Sequence, residues 1–429
     1  MIDYLAFPGA RSVRGPIHAP PSKSSTNRAL VLAALSSERV ELVRPLDSDD
    51  TRALARCLAA MGAVIEPTAA GIAVHGPLGR SANDEVVLDA GASGTAARFL
   101  AALAAGVRGR YFVTGSPRLR ERPMAELVAA LRSAGASVVE AGSPGFLPLS
   151  IRGGSLRAAP VAVDASRSSQ FLSALLLAGV AVDGGLSVRP EGSVASAPYV
   201  ETTLLTLAEF GHSVRRAPTG EIEVERGTAG PRSYEVPGDW SSALPFFAAT
   251  GIAGGQVSVT GLSWPSPDAD ARALDAIESM GIATERSPTT IRARGERGSL
   301  APVAVDARDF PDAVPVIASL AASAEGESRL RGIGHLRFKE SDRIAAVATL
   351  AQEAGALAFA GAEDLSITGP LRWRGKGLLR LPTFDDHRLA MAAALLSLAV
   401  PGTLIENPGC VAKSYPGFFR DLETILVRG

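Results

Sequence analysis

The sequence predicts an α/β protein of six βαβαββ-like modules, grouped three to a lobe. Three observations carry this. First, glycines close helix-like segments at Gly62, Gly135, Gly211, Gly281, Gly355 and Gly429, in the strings CLAAMG, LRSAG, LAEFG, IESMG, AQEAG and ETILVRG. The steps between them are 73, 76, 70, 74 and 74 residues. Glycine just past a helix end tolerates the positive φ of a C-terminal cap. A period this steady points to one supersecondary unit copied six times. Second, Ala/Leu-rich runs recur at 22–36, 93–106, 166–179, 239–251, 309–322 and 384–399. Third, β-like stretches bounded by Gly and Pro separate the helices, among them VELVRPL, VVLDA, RYFVTG, LSVRP and QVSVTGL. Six modules could close into one ring or form two lobes of three. The Pro- and Gly-rich string PRSYEVPGDW (231–240) falls near the middle and favours two lobes joined by a hinge.

Each Ala/Leu-rich run opens on Ser, Thr, Asp or a charged residue and then turns apolar nearly all round. The opening is an N-cap signature, and the apolar body predicts a buried helix. A buried helix start presents unpaired N–H groups and the positive end of the helix dipole. Six such starts converging on one cleft would bind anions without any net positive charge. The openings also carry more than capping needs: Lys23, Arg28, Arg98, Gln170, Asp312, His387 and Arg388.

Composition narrows the function class. The chain has 429 residues, 46% hydrophobic and 20% charged, with a formal net charge of -1. That is an ordinary soluble globular balance, with no electrostatic case for nucleic-acid or membrane-surface binding. Two cysteines without a CxxC, and five histidines scattered along the chain, argue against a disulfide framework or a zinc site. No metal is expected, and a reducing, cytoplasmic compartment fits. The start MIDYLAFPGAR lacks the basic and apolar regions of a signal peptide. The longest apolar run, about 389–400, is too short to span a bilayer. Of the 43 basic residues only four are lysines: Lys23, Lys339, Lys376 and Lys413. A lysine kept against such a bias marks a place for a compact ammonium. Lys376, in the turn-like RGKG, reads as a solvated loop residue.

Several strings carry chemistry. KESDR (339–343) reads as the opening of a helix, with Lys339 and Arg343 on one face and Glu340 beside them. Two cations and a carboxylate there could bind an anion and move a proton, although the same spacing suits a surface ion-pair cluster. PPSKSSTNRAL (20–30) sets Lys23, Ser24 and Arg28 around a helix start in a manner suited to phosphate, without the glycine frame of a Walker loop. SRSSQFL (166–172) offers Ser168, Ser169 and Gln170, which also read as a capping box. DDHR (385–388) and GCVAKSYP (409–416) add His387, Arg388 and Lys413.

The strings PPSKSSTNRAL, SGTAAR, RERP, SSQF, FPDA, KESDR, DDHR and CVAKSYP occur here in the order seen in 5-enolpyruvylshikimate-3-phosphate synthases, and the chain resembles that family from about Pro20 to Pro416. The resemblance implies a two-lobed inside-out α/β barrel. Residues 1–20 and 238–429 would form one discontinuous lobe and 21–237 the other, with the active site in the cleft between them. It implies transfer of the enolpyruvyl group of phosphoenolpyruvate to the 5-hydroxyl of shikimate 3-phosphate, on small-molecule substrates alone and with no metal or organic cofactor; a monomer is the default expectation. It places shikimate 3-phosphate on Lys23, Ser24, Arg28, Ser168, Ser169, Gln170, Ser196, Tyr199, Asp312, His335 and Lys339. It places phosphoenolpyruvate on Lys23, Gly94, Thr95, Arg122, Gln170, Arg343, Arg388 and Lys413. The catalytic set it implies is Asp312 as base at the 5-hydroxyl, Glu340 moving the C3 proton, Lys23, and His387 assisting near Glu340.

Ala92, His335 and Ala197 depart from the family's usual residues at their positions. Two other readings compete. A UDP-N-acetylglucosamine enolpyruvyl transferase would carry a cysteine in the loop 115–124 and a Lys-Asn pair at 23–24, and this chain has neither. A non-catalytic six-fold clamp on DNA fits poorly with neutral charge and with the carboxylates of Asp312 and Glu340.

Overall fold

The computed structural model describes residues 4–6, 10–76, 78–79, 85–227, 230–375 and 377–428. The chain divides into two compact units: Met1–Pro20 with Pro237–Gly429 (unit 1), and Pro21–Val236 (unit 2). Each has its own apolar core.

The middle module of unit 2 shows the repeating pattern. Strand Glu85–Asp89 leads to helix Gly94–Gly106, strand Arg110–Thr114, helix Ala125–Ser133 and the strands Ser137–Glu140 and Leu149–Arg152. The first two strands pair in parallel, the fourth pairs antiparallel with the second, and the third takes the edge. The next module repeats this with Pro160–Asp164, Leu186–Glu191, Ile222–Glu225 and Ser213–Arg216. In the first module the parallel place beside Val40–Val43 is taken by Ser233–Glu235, from the far end of the unit. The segment expected to act as a hinge is thus partly a strand.

Unit 1 holds the other three modules, two of them modified. Strand Ser12–His18 comes before the whole of unit 2, whereas its helix Trp240–Ala253 and its parallel partner Gly255–Thr260 come after it. In the last module helix Phe418–Thr424 gives way to strand Leu426–Val427, which pairs with Ser12–His18. Tyr4–Ala6 pairs antiparallel with Leu404–Glu406 instead. The expected helix closing at Gly429 is therefore corrected: it ends at Thr424, because the backbone of Ile425–Val427 bonds to Arg11 and Arg14. Gly429 and Lys376 lie outside the described residues.

The other five glycines do what their period predicts. Gly62, Gly135, Gly211, Gly281 and Gly355 have φ between +77° and +114°. Each closes a Schellman turn; at Gly62, for example, Gly62 N donates to Ala59 O and Ala63 N to Leu58 O, both at 3.0 Å.

The Ala/Leu-rich helices span Lys23–Leu35, Gly94–Gly106, Ser169–Gly179, Trp240–Ala253, Val314–Ser323 and His387–Ala399. Within each unit the three helices pack on one another at the core and the sheets lie outside them. Side chains of Ser22, Ser93, Ser168, Asp239 and Asp386 cap five of the six. The fifth departs from expectation. It starts late, after a 3-10 turn Pro311–Ala313, and has no capping side chain. The sixth also starts late, because Phe384 and Asp385 are held at φ +52° and +54°, outside the helical region. Among the described residues no helix is long and apolar enough to cross a membrane.

Candidate functional site

Unit 1 gathers its candidate residues around one guanidinium. Arg343 begins helix Arg343–Glu353 behind the cap Asp342, and its side chain is 1% exposed. It donates to Asp312 Oδ1 at 2.8 Å, to Glu340 Oε2 at 3.0 Å and, through Nε, to Asp386 Oδ2 at 2.8 Å. Burial works against its charge, yet Asp386, Glu340 and Asp312 outweigh burial and raise its pKa well above the ordinary arginine value. Asp312 Oδ2 also accepts from Arg388 Nη2 at 3.2 Å, and Glu340 Oε1 lies 3.7 Å from Lys413 Nζ. Asp312 therefore bridges Arg343 and Arg388, and Glu340 bridges Arg343 and Lys413. One network thus unites five residues predicted from distant parts of the sequence.

The local reason differs from the expected one. Lys339, Glu340 and Ser341 are not on the helix; they form the turn between the 3-10 segment Gly334–Phe338 and Arg343. The shared helical face predicted for Lys339 and Arg343 is thus corrected, and the turn brings Glu340 onto Arg343. Asp312 lies in the 3-10 turn ahead of a helix with no capping side chain, and its carboxylate bonds to Arg343 and Arg388. His387 is 1% exposed, with Nδ1 3.6 Å from Asp386 Oδ1. His335 is buried in the 3-10 segment. Desolvation, then the charge of Lys339, push its pKa down to about 3, which leaves the ring neutral at physiological pH.

Two left-handed turns aim these groups. Asn407, at φ +44°, precedes the 3-10 segment Pro408–Lys413 that carries Lys413. Its amide donates to Asp385, in the turn that carries His387 and Arg388. Asn407 O accepts from Thr383 Oγ1 at 3.4 Å and from Cys410 N at 3.3 Å.

Unit 2 places its candidates at helix starts with few charges. Lys23 Nζ lies 3.4 Å from Asp50 Oδ2. Arg28 is buried and spans three elements: it donates to Thr203 Oγ1 at 2.8 Å, Ser24 O at 2.9 Å and Tyr199 O at 3.0 Å. Those contacts fix the backbones of two other candidates, Ser24 and Tyr199. Ser196 is held at φ +56° just before helix Pro198–Glu209. Ser168 caps the helix that carries Ser169 and Gln170, and Gln170 Nε2 donates to Thr95 Oγ1 at 3.0 Å. Gly94 is required by close approach: a Cβ there would meet Arg98 Nη1 at 2.4 Å and Arg122 Nη1 at 2.5 Å. Arg98, 2% exposed, donates to Gly94 O and Pro123 O, each at 3.0 Å, and so ties Thr95 and Arg122 to one anchor.

Sequence reasoning passed over Asp386, Ser241, Asp50 and Thr203. Asp386 was legible as the N-cap of the sixth helix, and its place under Arg343 was not. Ser241 donates nothing distinctive in sequence; it accepts from Arg388 and donates to Asp239 Oδ1 at 2.5 Å. Among the described residues no group of three or more His, Cys, Asp or Glu is placed to hold a metal ion.

Residues 8–422 match the family described as EPSP synthase (3-phosphoshikimate 1-carboxyvinyltransferase). A relative from Bordetella petrii named 3-phosphoshikimate 1-carboxyvinyltransferase is 40% identical over 99% of this chain and 97% of its own. One of the same name from Thermococcus kodakarensis is 42% identical over 96% of this chain and 98% of its own. The solved structure of EPSP synthase from Acinetobacter baumannii superposes with a TM-score of 0.79 at 26% identity, covering 100% of this chain and 99% of that one. The enolpyruvyl transferase NikO from Streptomyces tendae, at 20% identity and a TM-score of 0.77 over 97% of this chain and 96% of its own, shares the fold. Likeness that runs the length of the chain, at identities well above those that a fold alone needs, shows that this chain belongs to the EPSP synthase family.

Proposed function

We propose that this protein transfers the enolpyruvyl group of phosphoenolpyruvate to the 5-hydroxyl of shikimate 3-phosphate, releasing phosphate, in the shikimate pathway that leads to chorismate and the aromatic amino acids. The match to the family over residues 8–422 carries the reading. In the first step the 5-hydroxyl oxygen bonds to C2 of phosphoenolpyruvate, C3 gains a proton and the hydroxyl loses one. In the second, C3 gives up a proton, the C2–O bond to phosphate breaks and the enol ether forms.

The residues fall into roles that this chemistry needs. Asp312 takes the hydroxyl proton and Glu340 exchanges the C3 proton, with Lys23 and His387 assisting. Arg343 keeps both carboxylates oriented, since one guanidinium bonds to each. Arg122, Arg343, Arg388 and Lys413 supply positive charge to phosphoenolpyruvate, with Gly94, Thr95 and Gln170 as close neutral contacts. Lys23, Ser24, Arg28, Ser168, Ser169, Gln170, Ser196, Tyr199, His335 and Lys339 hold shikimate 3-phosphate. In this reading Arg28 acts chiefly by fixing Ser24 and Tyr199. The reading also takes the protein as a cytoplasmic monomer, in keeping with its two free cysteines.

Phosphate release from phosphoenolpyruvate is the test, with shikimate 3-phosphate as acceptor and UDP-N-acetylglucosamine as control. Release with the first alone is expected; none with the first overturns the reading. Light scattering on the eluted protein checks the monomer.

A further inference from the structure

The repeated sheets allow a comparison of their solvent faces at equivalent rows. In the last sheet of unit 2, Arg215 lies opposite Glu223 on adjacent antiparallel strands, and the two form an ion pair. In unit 1, Arg292 lies opposite Glu285 at 3.5 Å. In the next sheet, Arg329 bonds to Glu327 at 3.0 Å. In each of these three pairs a guanidinium is set against a carboxylate.

The middle sheet of unit 2 instead sets two guanidiniums against each other. Arg110 lies directly opposite Arg152, and Ser137 lies on the other side of Arg152. All three residues are exposed, as is Arg108 in the turn before the strand. None of the three arginines makes an ion pair with a described residue. Like charges directly opposite one another destabilise a sheet. Glu85 is the one acid in the row, beside Arg110, and its carboxylate accepts from Ser150 Oγ at 3.2 Å. Among the described residues the balance is one carboxylate, Glu85, to three guanidiniums. The three arginines line a cavity of about 790 Å³ together with the Gly153–Gly154 turn, Ser137 and Ser150.

We propose that this cavity binds a small oligophosphate anion. Arginine forks in register on neighbouring strands are about 5 Å apart at Cα. That spacing lets each guanidinium take one of two linked phosphates bidentately. The volume falls in the range of small-ligand sites. The site is separate from the candidate residues of this unit. Gly94 and Thr95 follow Asp89, at the end of the sheet where Asp89 pairs with Thr114, whereas the arginines sit at the opposite end, where Glu85 pairs with Arg110. The proposal does not depend on the reaction assigned above.

The experiment is calorimetric titration of the whole protein with tripolyphosphate at fixed ionic strength. It compares wild type, the double variant Arg110→Gln/Arg152→Gln, and a control, Arg39→Gln/Arg56→Gln, which removes the same charge from exposed positions elsewhere. Expected is loss of one binding event in the first variant, or its weakening by at least about tenfold, with phosphate release in the transferase assay unchanged and the control like wild type. Removing the like-charge pair should also leave the anion-free melting temperature equal or higher, which establishes that the variant folds. Identical isotherms for wild type and the double variant, or an equal loss in the control, overturn the proposal.

Discussion

The two units share one module and use it differently. In unit 1 the candidate residues form a network of three carboxylates around Arg343, extended by Arg388 and Lys413. In unit 2 they are mostly hydroxyls, an amide and a bare glycine at capped helix starts, with the cations Lys23, Arg28 and Arg122 and no carboxylate among them. Charged partners that already hold one another are expensive to bury and are suited to moving protons between fixed positions. Neutral donors at helix starts recognise oxyanions with little reorganisation. Under the proposed reaction, the copied scaffold divides labour by side chain: proton transfer falls to unit 1, and most of the holding of shikimate 3-phosphate falls to unit 2.

The sharpest way to break that division is through Asp312 and Glu340. Asp312→Asn and Glu340→Gln should each lower turnover by about 10²–10⁴-fold, with melting temperature little changed. Near-normal rates in both would move proton transfer out of unit 1. Arg343→Met strikes the same network from beneath. It leaves Asp386, 0% exposed, without its guanidinium, and should cost about 3–5 kcal/mol of unfolding free energy in urea titrations as well as turnover. If stability held, the network would be less buried in effect than its geometry indicates.

Acid should weaken the fold through two histidines, one in each unit. His335 and His212 are pushed down to about 3 and about 4, both mainly by burial. The unfolded chain therefore binds more protons than the folded one below pH 6.5, and stability falls as pH drops from about 6.5 toward 4. A His212→Gln/His335→Gln variant should show a flatter unfolding free energy across that window; an unchanged slope would mean that both rings are protonated in the fold.

Smaller effects sharpen the holding side. Gly94→Ala introduces a methyl 2.5 Å from Arg122 Nη1, so the guanidinium must shift. The expected result is a KM for phosphoenolpyruvate raised roughly tenfold, with kcat changed less. Smallest is the turn that aims Lys413. Asn407→Ala should cost about 1 kcal/mol through its left-handed backbone, whereas Asn407→Gly should recover most of that while still lacking the bond to Asp385. A KM shift shared by both variants would assign the effect to the amide, and one confined to Ala would assign it to the backbone.

How much of this was legible follows from the range of each cause. Glycine caps are local, so five of the six were readable from spacing; the sixth misled because Leu426–Val427 is claimed by a strand more than 400 residues away in sequence. Site residues at helix starts were readable because capping and anion binding leave the same polar openings. Asp312 was readable too, and its two guanidinium partners were not, since Arg343 and Arg388 reach it only through tertiary contact. Asp386 and Asp50 act through partners that only tertiary contact brings near. The order of the KESDR motif was clear, but its shape as a turn came from the packing of the 3-10 segment before it.

The interruption of unit 1 has a consequence for how the chain emerges during synthesis. Strand Ser12–His18 is made before unit 2, yet its sheet partner Gly255–Thr260 is made only after all of unit 2, and Leu426–Val427 joins the sheet later still. Unit 2 is continuous and can fold as soon as it is complete, whereas the N-terminal strand must wait for both partners. Translation thus imposes an order that the symmetry of the modules conceals: the inner unit matures first, and strands made after it release the waiting strand Ser12–His18.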